Sequence, residues 1–91
     1  MSVVETTVVI KNKVGLHARP ASMFVQTAAQ FQSQVQVLHG DKKVNAKSIM
    51  GVLKLGAAPG DTLILRAEGE DAENAVNALA ELIERKFDEE E

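Results

Sequence analysis

Ninety-one residues, 45% hydrophobic and 25% charged, suffice for one domain with one core and exclude a second. The chain has no cysteine, which rules out disulfides and thiolate metal sites, and no apolar run long enough to span a bilayer. A net charge of −3, scattered Lys and Arg, and no Tyr or Trp argue against a nucleic-acid partner.

Met1 to Val3 read as a lead-in. Val4, Thr6, Val8 and Ile10 alternate with Glu5, Thr7, Val9 and Lys11, which predicts a strand with one buried face. Asn12 to Leu16 form a loop with Gly15 as its turn residue. A helix is expected from Ala18 to about Gln30. Pro20 is tolerated in a first turn, where N–H groups have no acceptor, so it sets the helix start near His17. Ala18, Ala21, Ser22, Val25, Ala28 and Ala29 make its stripe of small residues, with Met23 and Phe24 partly off it and open to a partner.

Val35, Val37 and His39 alternate with Gln34, Gln36 and Leu38 in a second strand, where His39 reads as a surface residue. Gly40-Asp41 suits a type II′ hairpin turn into a short third strand, Lys42 to Asn45. Ser48 caps a short helix, Ile49 to Leu55, closed by Gly56. Pro59-Gly60 turns into a fourth strand with Leu63, Leu65 and Ala67 facing the core. The last helix, Asp71 to Lys86, begins with acid and carries the stripe Ala72, Ala75, Val76, Leu79, Leu82, Ile83 and Phe87. Asp88 to Glu91 read as a solvated, frayed end. The order β-α-β-β-α-β-α predicts an α+β domain over residues 1–91. Its antiparallel sheet of four strands is covered on one face by the two longer helices and solvated on the other.

His17 carries the candidate chemistry. A helix start offers unpaired N–H groups and a positive dipole end, both suited to phosphate. A neutral imidazole there is a nucleophile beside an anion cradle, and Arg19 adds a planar donor fork. Residue types alone also allow His17 merely to pack at the helix start. No second His or carboxylate stands at metal-ligand spacing, and no Ser-His-Asp or Cys-His set is convincing, so neither a metal nor a cofactor is expected. Ser48 is explained by capping alone, although a phosphoserine would also be tolerated at a helix N-terminus.

Gly15-Leu16-His17-Ala18-Arg19-Pro20-Ala21 and Lys47-Ser48-Ile49-Met50-Gly51-Val52, at this separation, resemble the HPr phosphocarrier family of the phosphoenolpyruvate-dependent sugar phosphotransferase system. The resemblance covers nearly the whole chain and implies an open-faced β-sandwich. It implies that His17 takes phosphate from phosphorylated Enzyme I through Nδ1 and passes it to a sugar-specific EIIA domain. Arg19 would then steady the phosphoryl group, with the backbone of Ala18 and Arg19 donating to it. Ser48 matches the serine modified by HPr kinase/phosphorylase, whose product can act with a catabolite-control transcription factor. Met23, Ile49, Met50 and Leu53 fall where the family has an apolar docking face. Val14 departs from a small polar residue common in the family, and Gln26 and Ala29 lie on a face that is basic in several enteric members. Crh-type regulators lack the histidine that this chain has.

The expectation is a cytoplasmic, monomeric carrier without membrane insertion, a transfer intermediate rather than a stand-alone enzyme. The alternatives are a chiefly regulatory HPr paralogue, in carbon or nitrogen control, and a small acyl-phosphate hydrolase using Arg19 as an anion clamp.

Overall fold

The computed structural model describes residues 2–88; the frayed end expected at 89–91 lies outside the described residues. The elements are β1 (Ser2–Val9), α1 (Ala18–Ala28), β2 (Gln34–His39), β3 (Lys42–Asn45), α2 (Ile49–Lys54), β4 (Thr62–Gly69) and α3 (Ala72–Glu84), followed by a 3₁₀ turn, Lys86–Asp88. This is the expected order. The four strands form one antiparallel sheet, β1-β4-β2-β3, with β1 and β3 at its edges. Helix α3 lies across β1, β4 and β2, while α1 packs against α2 and α3.

The core follows the strand alternation. Val35, Val37, Leu63, Leu65 and Ala67 point inward and are buried, beneath Ala75, Val76, Leu79 and Ile83 of α3. The opposite sheet face carries Glu5, Gln34, Gln36, Arg66 and Glu68, with Arg66 paired to Glu5 at 2.8 Å. An antiparallel sheet can leave one face to water in this way. The β2–β3 turn is as expected: His39 pairs with Lys42, and Gly40 alone takes a positive φ, +62°.

Four sequence expectations need correction. The first strand begins at Ser2, not Val4, because Ser2 and Val3 pair with Gly69 and Glu68. The buried stripe of α1 is Pro20, Ala21, Phe24 and Ala28: Ala21 and Ala28 of the predicted line are buried, but Pro20 and Phe24 join them in place of Ala18, Ser22, Val25 and Ala29, which turns the buried face partly round the helix. Phe24, expected partly free for a partner, is fully buried because it has the most apolar area to remove from water. The chain leaves α3 at Glu84, and Lys86 to Asp88 all adopt left-handed φ near +57°. That turn drives Phe87 into the core and brings Asp88 back to Arg85, at 3.2 Å. Asp88 is solvent-exposed, as expected, but is paired with Arg85.

The acid expected at the start of α3 is in place, with Asp71 as the N-cap residue, although its side chain makes no capping bond to α3. One carboxylate oxygen instead accepts the Gln32 N–H at 2.9 Å, and the other accepts the Ser33 N–H at 2.9 Å and the Ser33 hydroxyl. This ties the α1–β2 connection to the start of α3. The Ser33 hydroxyl above all, then the Gln32 and Ser33 amides, hold the Asp71 carboxyl below its ordinary range. A folded-state pKa below the unfolded one gives stability that is complete above the ordinary carboxylate range, about pH 4, and is lost as pH falls through the lowered value. Urea midpoints measured from pH 6 to pH 2 should fall on acidification, and Asp71→Asn should remove part of that fall.

Candidate functional site

The loop between β1 and α1 presents His17, and its shape follows from a few local constraints. Gly15 has φ +70°, open to glycine at little cost. A Cβ there would fall on the Ala57 carbonyl oxygen and lie 3.0 Å from Ala58 Cα. The loop thus lies directly against the turn that follows α2. Leu16 N–H donates to that same Ala57 oxygen at 3.0 Å, and Leu16 is buried beneath the loop. At the other end, Ile10 N–H donates to the Asp61 carbonyl at 2.9 Å and the Ile10 carbonyl accepts from Gly60 at 2.8 Å. Asn12, fully buried, donates through Nδ2 to the Gly15 carbonyl at 2.8 Å and braces the loop from within.

His17 is the N-cap residue of α1, with extended backbone and an exposed side chain that makes no capping bond. Its carbonyl accepts the first intrahelical bond, from Ala21 N–H at 2.9 Å. Pro20 has no N–H. The donors left without an intrahelical acceptor in this first turn are therefore the amides of Ala18 and Arg19. Ala18 and Arg19 are exposed as well, so the histidine, two amide positions and the guanidinium come from one open helix turn. Such a turn can accept an anion without a pocket.

Ser48 is the N-cap of α2, as its position implied: its Oγ accepts the Gly51 N–H at 3.1 Å. Asn45 Oδ1 takes the Lys47 N–H at 2.8 Å and shapes the approach to this cap. Gly51 lets α2 sit low on β3, where an added Cβ would come within 3.2 Å of Val44 Cβ. Beyond the cap, Ile49, Met50 and Leu53 are 39%, 62% and 37% exposed, an apolar surface on a helix that packs on α1. Met23 differs from these three in being partly buried against the core. Val14 is exposed at the loop.

Three contributors escaped the sequence reading. Asn12 and the Ala57–Asp61 turn shape the loop from residues that carry no chemistry themselves. His39, read as a surface strand residue, is half-buried between α2 and that turn, with Nδ1 3.0 Å from the Leu55 carbonyl. Pro59-Gly60 marked the turn itself, but no local signal showed that it, Asn12 or His39 supports the His17 loop.

The sequence profile of the PTS-HPr family, "PTS HPr component phosphorylation site", matches residues 4–85. The chain belongs to the HPr family. A solved HPr from Thermoanaerobacter tengcongensis is 58% identical and superposes with a TM-score of 0.93, covering 97% of this chain and 99% of that one. The phosphocarrier protein HPr of Xylella fastidiosa is 45% identical over 85 residues, 93% of this chain and 96% of the relative. The HPr-like protein Crh of Halalkalibacterium halodurans is 47% identical over 83 residues, 91% of this chain and 99% of the relative. The open-faced sandwich and the phosphocarrier reading of the phosphotransferase system both follow from this membership. Among the described residues no helix is long and apolar enough to cross a membrane.

Proposed function

We propose that His17 is the phosphoryl acceptor of this HPr-family chain, taking phosphate from phosphorylated Enzyme I and passing it to a sugar-specific EIIA domain. The observation that carries this is an exposed histidine at the N-cap of α1, in the same turn as the Ala18 and Arg19 amides and the Arg19 guanidinium. The Nδ1 lone pair attacks phosphorus. The bond from phosphorus to the donor breaks as the new N–P bond forms, and the donor keeps the electron pair. Charge then spreads over the three phosphoryl oxygens, where the amides, the helix dipole and Arg19 stabilise it. The same groups face the phosphohistidine afterwards, so the cargo is held without being enclosed.

The remaining site residues take supporting roles. Ile49, Met50 and Leu53, with the open part of Met23, form the surface that partners cover, since exposed apolar side chains beside a reactive group favour docking. His17, Arg19 and the Ala18 amide lie in one helix turn of one chain, which supports a monomer as the working unit. The chain acts as a carrier, and its partners supply the other transition-state groups.

The test is incubation with Enzyme I and phosphoenolpyruvate. The expected product is one phosphate per chain, labile to acid and stable to base, as a phosphoramidate should be. A base-labile phosphate, or none, overturns the assignment, and steady turnover of a free acyl phosphate would favour hydrolysis instead.

Ser48 is the proposed regulatory position, a target of HPr kinase/phosphorylase with a catabolite-control transcription factor as downstream reader. The likeness to a Crh protein supports a regulatory role beside the carrier role. A phosphate on Ser48 adds negative charge at the N-terminal edge of the apolar α2 surface, which a docking partner must then desolvate. Ser48→Asp tests this cleanly, because aspartate is as good an N-cap as serine. It should slow His17 phosphorylation by roughly tenfold, read by stopped transfer from Enzyme I. Unchanged kinetics reduce Ser48 to a cap.

A further inference from the structure

His39 lies on β2, outside the site, yet its ring reaches two oxygens that belong to the site's foundations. Nδ1 is 3.0 Å from the Leu55 carbonyl at the end of α2, and Nε2 is 3.2 Å from Asp61 Oδ2. That carboxylate oxygen also accepts the Ala58 N–H at 2.9 Å, while Asp61 N–H returns to the Ala58 carbonyl at 3.0 Å. Asp61 therefore closes the 58–61 turn with its backbone and side chain together, and His39 holds the carboxylate. The side chains of His39 and Asp61 are 25% and 35% exposed, partly shielded from competing water.

The turn grips both ends of the His17 loop. Ile10 is bonded to Asp61 and Gly60, Leu16 is bonded to Ala57, and Gly15 presses on Ala57 and Ala58. A second grip comes from Lys42, the register partner of His39, whose Nζ reaches the Lys54 carbonyl at 3.2 Å. The end of the β2–β3 hairpin thus holds the last carbonyls of α2 and the turn after it. A ring protonated at both nitrogens serves both of its oxygens, whereas a neutral tautomer donates to one.

We propose that His39 is a positioning residue for phosphoryl transfer: through Asp61 it sets the turn against which the His17 loop is held. The proposal rests on the reading of His17 as the acceptor. A loop held on one side only by Asn12 samples more positions, and fewer of them place the imidazole in line with the incoming phosphorus.

Two conservative variants separate the two arms. The amide nitrogen of His39→Gln lies near the position of Nε2 and can still donate to Asp61; that of His39→Asn lies near Nδ1 and can serve only Leu55. Two readouts are needed: hydrogen-exchange protection of the Leu16 and Ile10 amides in the unphosphorylated protein, and kcat and KM for phosphoryl acceptance from Enzyme I. In His39→Asn, Leu16 should exchange about fivefold faster and kcat should fall by a similar factor at unchanged KM, as expected from one lost hydrogen bond. His39→Gln should restore both to within about twofold of the wild type. Asp61→Ala, which removes the oxygen that faces both His39 Nε2 and the Ala58 N–H, should show at least the His39→Asn loss and serves if that variant folds poorly. Native exchange and native kcat in His39→Asn overturn the proposal, as does an equal loss in His39→Gln. A wild-type chain that takes up no phosphate overturns the His17 assignment and this role with it. Exchange in the unphosphorylated protein still reports separately whether His39 braces the loop.

Discussion

His17→Ala is expected to take up no phosphate from Enzyme I while folding as the wild type does. The two halves of that result have separate physical causes. The imidazole is the only nucleophile in the first turn of α1, and alanine offers no lone pair for phosphorus, so labelling should drop to background. The fold should hardly change, because the His17 side chain is exposed and makes no capping bond to α1. Its backbone carbonyl, which accepts from Ala21, survives the substitution. A change in unfolding free energy of no more than about 1 kcal/mol follows for such a surface site. Denaturant midpoints and phosphate labelling on the same sample check both halves. Persistent acid-labile label on the variant would move the acceptor to another residue.

Gly15→Ala should be the most damaging small substitution in the loop, and comparison with Gly40→Ala shows why. Both glycines have left-handed φ, +70° and +62°. Forcing an L-residue into that region costs roughly 1–2 kcal/mol at either position. Nothing lies within 4 Å of a Cβ at Gly40, so strain is its whole cost there. At Gly15 the new methyl runs into the Ala57 carbonyl and Ala58 Cα, both backbone atoms that cannot swing aside. Overpacking of this kind adds about 1–3 kcal/mol, giving a total near 2–5 kcal/mol. For a domain of this size each kcal/mol lowers Tm by about 4–8 °C, so Gly15→Ala should melt at least about 10 °C below the wild type. The loop can relieve the clash only by lifting from the turn, which breaks the Leu16–Ala57 bond and displaces His17. Phosphoryl acceptance should then fall by about tenfold or more, while Gly40→Ala keeps native kinetics. Equal destabilisation by the two substitutions would show that close approach at Gly15 carries no weight.

What could be read in advance was local. Ser48 could be placed as an N-cap because a cap, its helix and its closing glycine are adjacent in sequence, and its Oγ indeed takes the Gly51 amide. The His17 turn was legible for the same reason: Pro20 has no N–H to lose in a first turn, so it marks where the helix begins. Strand faces followed from a period of two, which leaves only two ways to orient each strand.

A helix is less constrained. The predicted stripe of α1 ran through Ala18, Ala21, Ser22, Val25, Ala28 and Ala29, and only packing against α2 and α3 decides that Ala21 and Ala28 are buried with Pro20 and Phe24 instead of the others. Partners distant in sequence were equally hidden. Asp71 meets Gln32 and Ser33, and His39 meets Asp61 and the end of α2, through contacts that no local pattern encodes. Phe87 reached the core by a left-handed turn of three non-glycine residues, a conformation with no signature in residue type.

The sequence by itself therefore determined the element order, the buried strand faces, the cap at Ser48 and the phosphate-ready turn at His17. Each depends on backbone groups and side chains within a few residues of one another. Only the tertiary structure decided how α1 is rotated, where the chain turns after α3 and what holds the His17 loop in place. Those depend on surfaces that meet when the chain closes, and the gain from burying them outweighs local preference.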